Sequence, residues 1–267
     1  MKIHIQHHTT YSYTWPVLYS IQHVRLTPVH SATQQVLTWR VKAPAKTSRS
    51  TDHFQNTVHT FTVNHAHNVL HVESSGEVEL LHSPSAYQPK LKESIHPLVY
   101  CNATALTEYN EEMQQFASHV SNSHLPFADR LLALAHAVAD RVVYTKGSTT
   151  VSHTAQHAFD HGLGVCQDHA HVMLACLRSH GIAARYVSGY FFNPDAPRHE
   201  SHAWIEAFDP ACELWLGVDA THRALAQQQH CKVAVGKDYT GASPVRGVRS
   251  GGGDESLEVK VTIHRVN

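Results

Sequence analysis

The chain opens on MKIHIQHHTTYSY, in which Ile3 and Ile5 alternate with polar neighbours. Alternation of period two marks a half-buried strand. Four further runs are rich in Val, Thr, Tyr and Trp: VLYSIQHVRLTP (Val17–Pro28), VLTWRVKA (Val36–Ala43), TVHTFTVN (Thr57–Asn64) and GEVELLH (Gly76–His82). Polar clusters such as TSRSTD separate them, and short strands at this spacing predict an antiparallel β-sandwich over residues 1–82. Pro84, Pro89 and Pro97 then interrupt any periodicity, so residues 83–105 read as a connector.

Beyond the connector the period changes. Thr107–Val120 and Phe127–Val143 fit helices, the second with an apolar stripe of Leu131, Leu134, Ala135 and Val138. A short helix is expected at Thr154–His161, stopped by Gly162 and Gly164. Another starts at Cys166, with Ala170, Met173, Leu174 and Leu177 on its buried face and Gly181 as its stop. Then come ARYVSGYFF, SHAWIEAF, LWLGVDA, CKVAVG and LEVKVTIHRV, all strand-like. Helices followed by a run of antiparallel strands predict an α+β fold, with residues 106–267 as a second domain.

Composition adds few constraints. The chain is 42% hydrophobic and 16% charged with a formal net charge of −1, which gives no electrostatic case for nucleic acid or an anionic membrane. The 26 histidines are mostly scattered and would make the protein more cationic on mild acidification. The first residues read as a strand and not as an apolar targeting segment, and no stretch approaches a membrane span. Five cysteines, odd in number and irregular in spacing, argue against a disulfide framework and for a reducing cytoplasm.

The informative cysteine is Cys166, which stands where a glycine-rich turn becomes a helix in HGLGVCQDHAH. Unpaired N–H groups and the positive end of the helix dipole favour a thiolate there. His202 begins one predicted strand and Asp219 ends the next, so a hairpin would set them side by side. The imidazole would then serve as base and acid, and the carboxylate would orient it. The Cys166 N–H is the natural oxyanion donor, with Gln167 as a candidate second. Asp168 reads as a charge complement to the helix start. His169 and His171 point to different sides of the helix. CQDH has a C-x-x-H spacing without a second pair to complete a zinc site, so no metal and no cofactor is expected. Cys176 reads as core, His65–His67 as a solvated hairpin, and Trp204 as packing or as a wall of the acyl pocket beside Gly164.

With these residues in place, GVCQDHAHVMLACLRSHGIAARYVSGY, ESHAWIEAF and GVDATH together resemble the core of the transglutaminase-like superfamily, a papain-related fold. The nearer likeness is to bacterial transglutaminase-like cysteine-protease candidates, which carry an N-terminal β-domain and a segment like AVGKDYTGASPVRGV, here Ala234–Val248. The resemblance implies a nucleophile at Cys166, a histidine at His202 and an aspartate at Asp219. It also suggests that Arg246 and Gly251–Gly253 rim the cleft. One departure is GVDATH: Ala220 and His222 stand where the family usually has Pro and Asn. The implied chemistry is acyl transfer through a thioester on a peptide or protein substrate, with water or an amine as acceptor. A catalytically silent peptide-binding module and an arylamine-type N-acetyl transfer are the alternatives.

Overall fold

The computed structural model describes residues 1–83, 86–88, 95–121, 124–196 and 199–266. Pro84 and Pro89 of the expected connector lie outside these. The first half is strand: β1 (Lys2–Val24), β2 (Gln34–Lys42), β3 (Ser48–Thr51), β4 (Thr57–Val63), β5 (His67–Leu80) and the short β6 (Tyr87–Gln88). Helices α1 (Glu111–Phe116) and α2 (Phe127–Arg141) follow, then β7 (Val143–Tyr144), α3 (Ala155–His161), β8 (Leu163–Gly164) and α4 (Cys166–Ser179). The remainder is β9 (Ala184–Phe191), β10 (Ser201–Asp209), β11 (Leu214–Asp219), β12 (Ala224–Leu225), β13 (His230–Gly236), a one-turn α5 (Tyr239–Ala242), β14 (Val245–Gly251) and β15 (Glu255–Val266). The fold is α+β, as the alternation of periods predicted.

The two strands expected before Pro28 are one 23-residue strand. Its first half pairs with β5 and β15, and its second half with β4 and β14. The register shifts between Ser12 and Val17, where the strand bends. This bend curls a seven-stranded sheet over its own core of Tyr13, Val17, Val24, Leu26, Phe61, Val63, Leu70 and Val72. The sandwich is therefore a sheet folded on itself. Its last two strands come from the C-terminus, so residues 245–266 join the N-terminal sheet and not the unit that begins at residue 106.

The second sheet runs β12-β11-β10-β9-β13 and is antiparallel throughout, with β6 also on β11. Helix α4 packs on its β9 and β10 strands and is covered by α1, α2 and α3. Ala170, Met173, Leu174 and Leu177 are buried as expected, and burial extends to every residue from Asp168 to Ser179. Its polar members are held by specific partners. Arg178 Nε donates to the Tyr100 carbonyl at 3.0 Å and Nη1 to Thr107 Oγ1 at 2.7 Å. Its Nη2 donates to the carbonyls of Ala184 at 2.8 Å and Lys237 at 2.6 Å. Burial lowers the Arg178 pKa to about 10, which leaves it charged at neutral pH. One guanidinium thus ties the end of α4 to four separate segments. Arg178→Met should destabilise the protein by about 4 kcal/mol in urea unfolding, because it orphans several buried acceptors at once; a loss under about 1 kcal/mol would mean those segments hold without it.

Candidate active site

Helix α3 ends where Gly162 adopts a left-handed conformation, φ 68°, its N–H closing on the Ala158 carbonyl. Three residues later the chain enters α4. The turn is set by Asp168, whose Oδ2 accepts the Val165 N–H at 2.7 Å. The same oxygen accepts the Thr149 hydroxyl at 2.6 Å, fastening the 145–151 loop to the helix start. Asp168 thus shapes the turn carrying Cys166. Gly164 is buried and paired in β8, and a Cβ there would come within 2.6 Å of the Asp168 Cβ. Its smallness serves this close approach; it does not line the cleft.

Cys166 is half-buried, at one side of a cleft of about 420 Å³. Tyr144, Lys146, Gly147 and Val151 come from the loop side, and Glu200 and His202 from the start of β10. Lys146 and Glu200 form an exposed ion pair of 2.7 Å at the cleft. The opposite wall is the first sheet. The pairs Tyr11↔Leu257, Thr9↔Val259 and His7↔Val261 share one face of β1 and β15, and all but Val261 line the cleft. Composition gave the N-terminal strands no chemical role, yet they build this wall. Val245 of β14 also lines it. Arg246, which donates to the Thr240 carbonyl, and Gly251–Gly253 are not among the residues that line the cleft. A larger cavity of about 540 Å³, lined among others by Trp39, Phe54 and Tyr100, contains none of these cleft residues.

The hairpin expected from sequence is present: β10 pairs with β11 from Ile205↔Val218 to Asp209↔Leu214. It sets His202 Nε2 2.7 Å from Asp219 Oδ2, which leaves Nδ1 as the ring nitrogen available to Cys166. Asp219 is fully buried and collects more partners than this. His222 Nδ1 also donates to Oδ2 at 2.7 Å, His230 Nε2 donates to it at 2.9 Å, and the His222 N–H reaches Oδ1 at 3.2 Å. Burial opposes the charge on Asp219, but the attraction of His202 and these hydrogen bonds outweigh it and hold the carboxyl well below its usual range. Burial likewise opposes a charged His202; Asp219, with a smaller effect of Cys166, overcomes it and raises the ring pKa to about 10.

Other candidates have different tasks. Gln167 Nε2 donates to the Val151 carbonyl at 3.3 Å, so its carboxamide is engaged on the loop. Trp204 sits with Val187, Ala226 and Val235, its ring stacked at 6.0 Å on His202 and edge-on at 5.1 Å to His230; it backs the imidazoles and lies outside the cleft. His169 and His171 do point apart. His169 Nε2 donates to the Val142 carbonyl, and its Nδ1 accepts from Thr221. His171 Nε2 accepts the Tyr239 N–H. His230 is the residue that sequence reasoning missed: it comes from β13, across the sheet, and no local spacing announces it.

Two family models match this chain. Residues 3–79 match the bacterial transglutaminase-like N-terminal region, and residues 114–220 match the transglutaminase-like superfamily. The chain belongs to the transglutaminase-like superfamily. An uncharacterized protein of Mycobacterium leprae is 32% identical to this superfamily member over 99% of both chains. Another, from Mycobacterium tuberculosis, is 30% identical over 92% of this chain and 87% of its own. The crystal structure of a candidate cysteine protease from Cytophaga hutchinsonii superposes with a TM-score of 0.75 at 20% identity, covering 100% of this chain and 92% of that one. The match extends the shared fold to the N-terminal sheet. Among the described residues, no helix is long and apolar enough to cross a membrane.

These charge states set opposite limits on stability. Burial lowers His7 and His171 to about 4, so their contribution is complete above pH 6.5 and is lost as pH falls towards 4. His202 is raised to about 10, so its contribution is complete below pH 6.5 and is lost as pH rises through 10. Urea unfolding should therefore give maximal stability near pH 6.5. His171→Gln should flatten the acid limb by roughly 3 kcal/mol and His202→Gln the alkaline limb by a few kcal/mol; unchanged limbs in both variants would contradict the assigned charge states.

Proposed function

We propose that this chain is a cysteine-dependent acyl-transfer enzyme that acts on amide or carboxamide bonds of peptide or protein substrates, with Cys166 as nucleophile, His202 as acid and base, and Asp219 as orienting carboxylate. The observation that carries the proposal is the 2.7 Å contact between His202 Nε2 and a fully buried Asp219, made by a ring that shares its cleft with Cys166. His202 gives its Nε2–H to Asp219 and takes the Cys166 thiol proton on Nδ1. Cys166 Sγ attacks the carbonyl carbon, and the N–H groups at the start of α4 receive the negative oxygen. His202 hands its Nδ1 proton to the departing nitrogen, the C–N bond breaks, and a thioester remains. Water or a primary amine then attacks the thioester carbonyl. His202 takes the acceptor's proton, and Cys166 leaves as thiolate. The first acceptor gives hydrolysis, and the second gives transamidation.

The remaining thiols fit a supporting background. Desolvation foremost pushes Cys101, Cys176, Cys212 and Cys231 up from the ordinary thiol range, Cys176 to about 12. All five cysteines are free, which suits a reducing cytoplasm as the working compartment.

The test uses glutamine-containing peptides with and without an added primary amine, reading ammonia release, peptide cleavage and amine incorporation. Cys166→Ala should abolish turnover while the fold is kept. Asp219→Asn should lower kcat by about 10⁴, the scale on which a lost orienting carboxylate acts in such constellations. Iodoacetamide at pH 6 should label Cys166 ahead of the other four thiols, and His202→Ala should remove that preference. Turnover that survives Cys166→Ala, or labelling indifferent to His202, would overturn the proposal.

A further inference from the structure

His202, Asp219, His222 and His230 present ligand atoms that all lie within 4.8 Å of one another. Three of these are imidazole nitrogens that converge on the single oxygen Asp219 Oδ2. Imidazole nitrogens gathered on a carboxylate are the donor set of a zinc-class cation, whose bonds to N and O run at about 2.0–2.2 Å. Side-chain movements of about an ångström would bring such donors onto one ion.

The hydrogen bonds decide which donors can serve. A neutral imidazole that binds metal through one nitrogen carries its proton on the other. His230 Nδ1 accepts the Gln227 N–H at 3.2 Å, so the His230 proton sits on Nε2 and is given to Asp219. His230 is therefore built to hold the carboxylate and not to bind a metal. His202 and His222 carry no such constraint, since each uses one ring nitrogen on Asp219 and can keep a proton on the other. The His222 side chain is also 36% exposed, which opens the cluster to an entering ion and to a water ligand. Its ring is stacked on Phe191 at 3.8 Å, which fixes its orientation.

We propose that Asp219, His202 Nε2 and His222 Nδ1 form a binding site for a zinc-class divalent cation, with water as fourth ligand and His230 as the donor that holds the ligating carboxylate. Its consequence rests on the acyl-transfer reading. A metal on Nε2 confines the remaining His202 proton to Nδ1, the nitrogen available to Cys166. The metal replaces the Nε2–H bond to Asp219 that orients the ring and draws both side chains onto the ion, so the imidazole no longer exchanges its Nδ1 proton in register with Cys166 and the metal-bound form is inactive. Removing the metal restores the base.

The test begins with the full chain carrying Cys166→Ala, so that no thiolate ligates the ion and no turnover is needed. Co²⁺ titration should give one equivalent with the visible ligand-field bands of a nitrogen–oxygen site. Adding His222→Ala should weaken binding by more than about a hundredfold, whereas His230→Gln, which keeps a donor on Asp219, should cost about tenfold, the low end of an outer-shell change. Circular dichroism checks the fold of each variant, and His222→Asn repeats the ligand test with a polar side chain. Bands absent from the Cys166→Ala protein overturn the site, as does a loss confined to His230→Gln. In the protein with Cys166 intact, Zn²⁺ should suppress turnover at least tenfold and a chelator should restore it. Relative to its own metal-free rate, His222→Ala should resist Zn²⁺; equal suppression in that variant overturns the ligand set. If no substrate is turned over at all, the Co²⁺ titration still decides the site, and only the acyl-transfer reading has failed.

Discussion

The organising constraint of this site is a carboxylate with no access to water. A buried ionised group is stable only when its lone pairs are filled by donors. Asp219 meets this with three imidazole N–H groups and one backbone N–H. Those donors come from β10, from the turn after β11 and from the start of β13. Each fixes part of the sheet in register, because a one-residue slip would turn its histidine to the opposite face. The charge on Asp219 and the order of the strands around it are thus the same requirement. His169 extends it, since its contact with Thr221 anchors the turn that carries His222 to α4.

Helix α4 supplies the second half of the geometry by being central. The helix is enclosed by a sheet and three other helices, and its polar residues act as ties. Asp168 closes the entry turn, His169 reaches Val142 and Thr221, His171 receives Tyr239, and Arg178 anchors the far end. Cys166, the first residue of so constrained a helix, is held by the whole core, which is what precise positioning of a functional side chain demands.

Much of this was legible from residues alone, for identifiable reasons. Cys166 stood out because local sequence writes a glycine turn and a helix start, and the β10–β11 hairpin followed from two adjacent apolar runs. Local pattern could not show that β1 is a single bent strand, because the polar stretch Tyr11–Pro16 looks like a break and is paired to Leu70 and Leu257 on either side. Nor could it show β15 returning to β1, a pairing across more than two hundred residues. The same limit applies to His230 and to the polar residues of α4, whose partners come from distant segments. Next to Cys166, Gln167 also engages the Val151 carbonyl and Gly164 lies against Asp168, contacts that adjacency in sequence does not announce.

The return of β15 has a consequence for selectivity. The wall facing Cys166 carries Tyr11, Leu257 and Val259, with Val245 from the neighbouring strand, while Lys146 and Glu200 stand across the opening. Leu257 is 52% exposed and Val259 44% exposed, a large apolar exposure for strand residues on the inward face. On the acyl-transfer reading, burial of such surface against a substrate would contribute about 25 cal/mol per Å², favouring apolar side chains beside the reacting carbonyl. A thioester on Cys166 would face the same wall. Lys146 and Glu200 form their ion pair at the opening of this cleft. On the acyl-transfer reading proposed above, the β1–β15 wall would meet the acyl donor, and the loop at Lys146 with the start of β10 would meet the acceptor. The N-terminal sheet is in this sense half of the cleft: both ends of the chain must be paired before the wall exists.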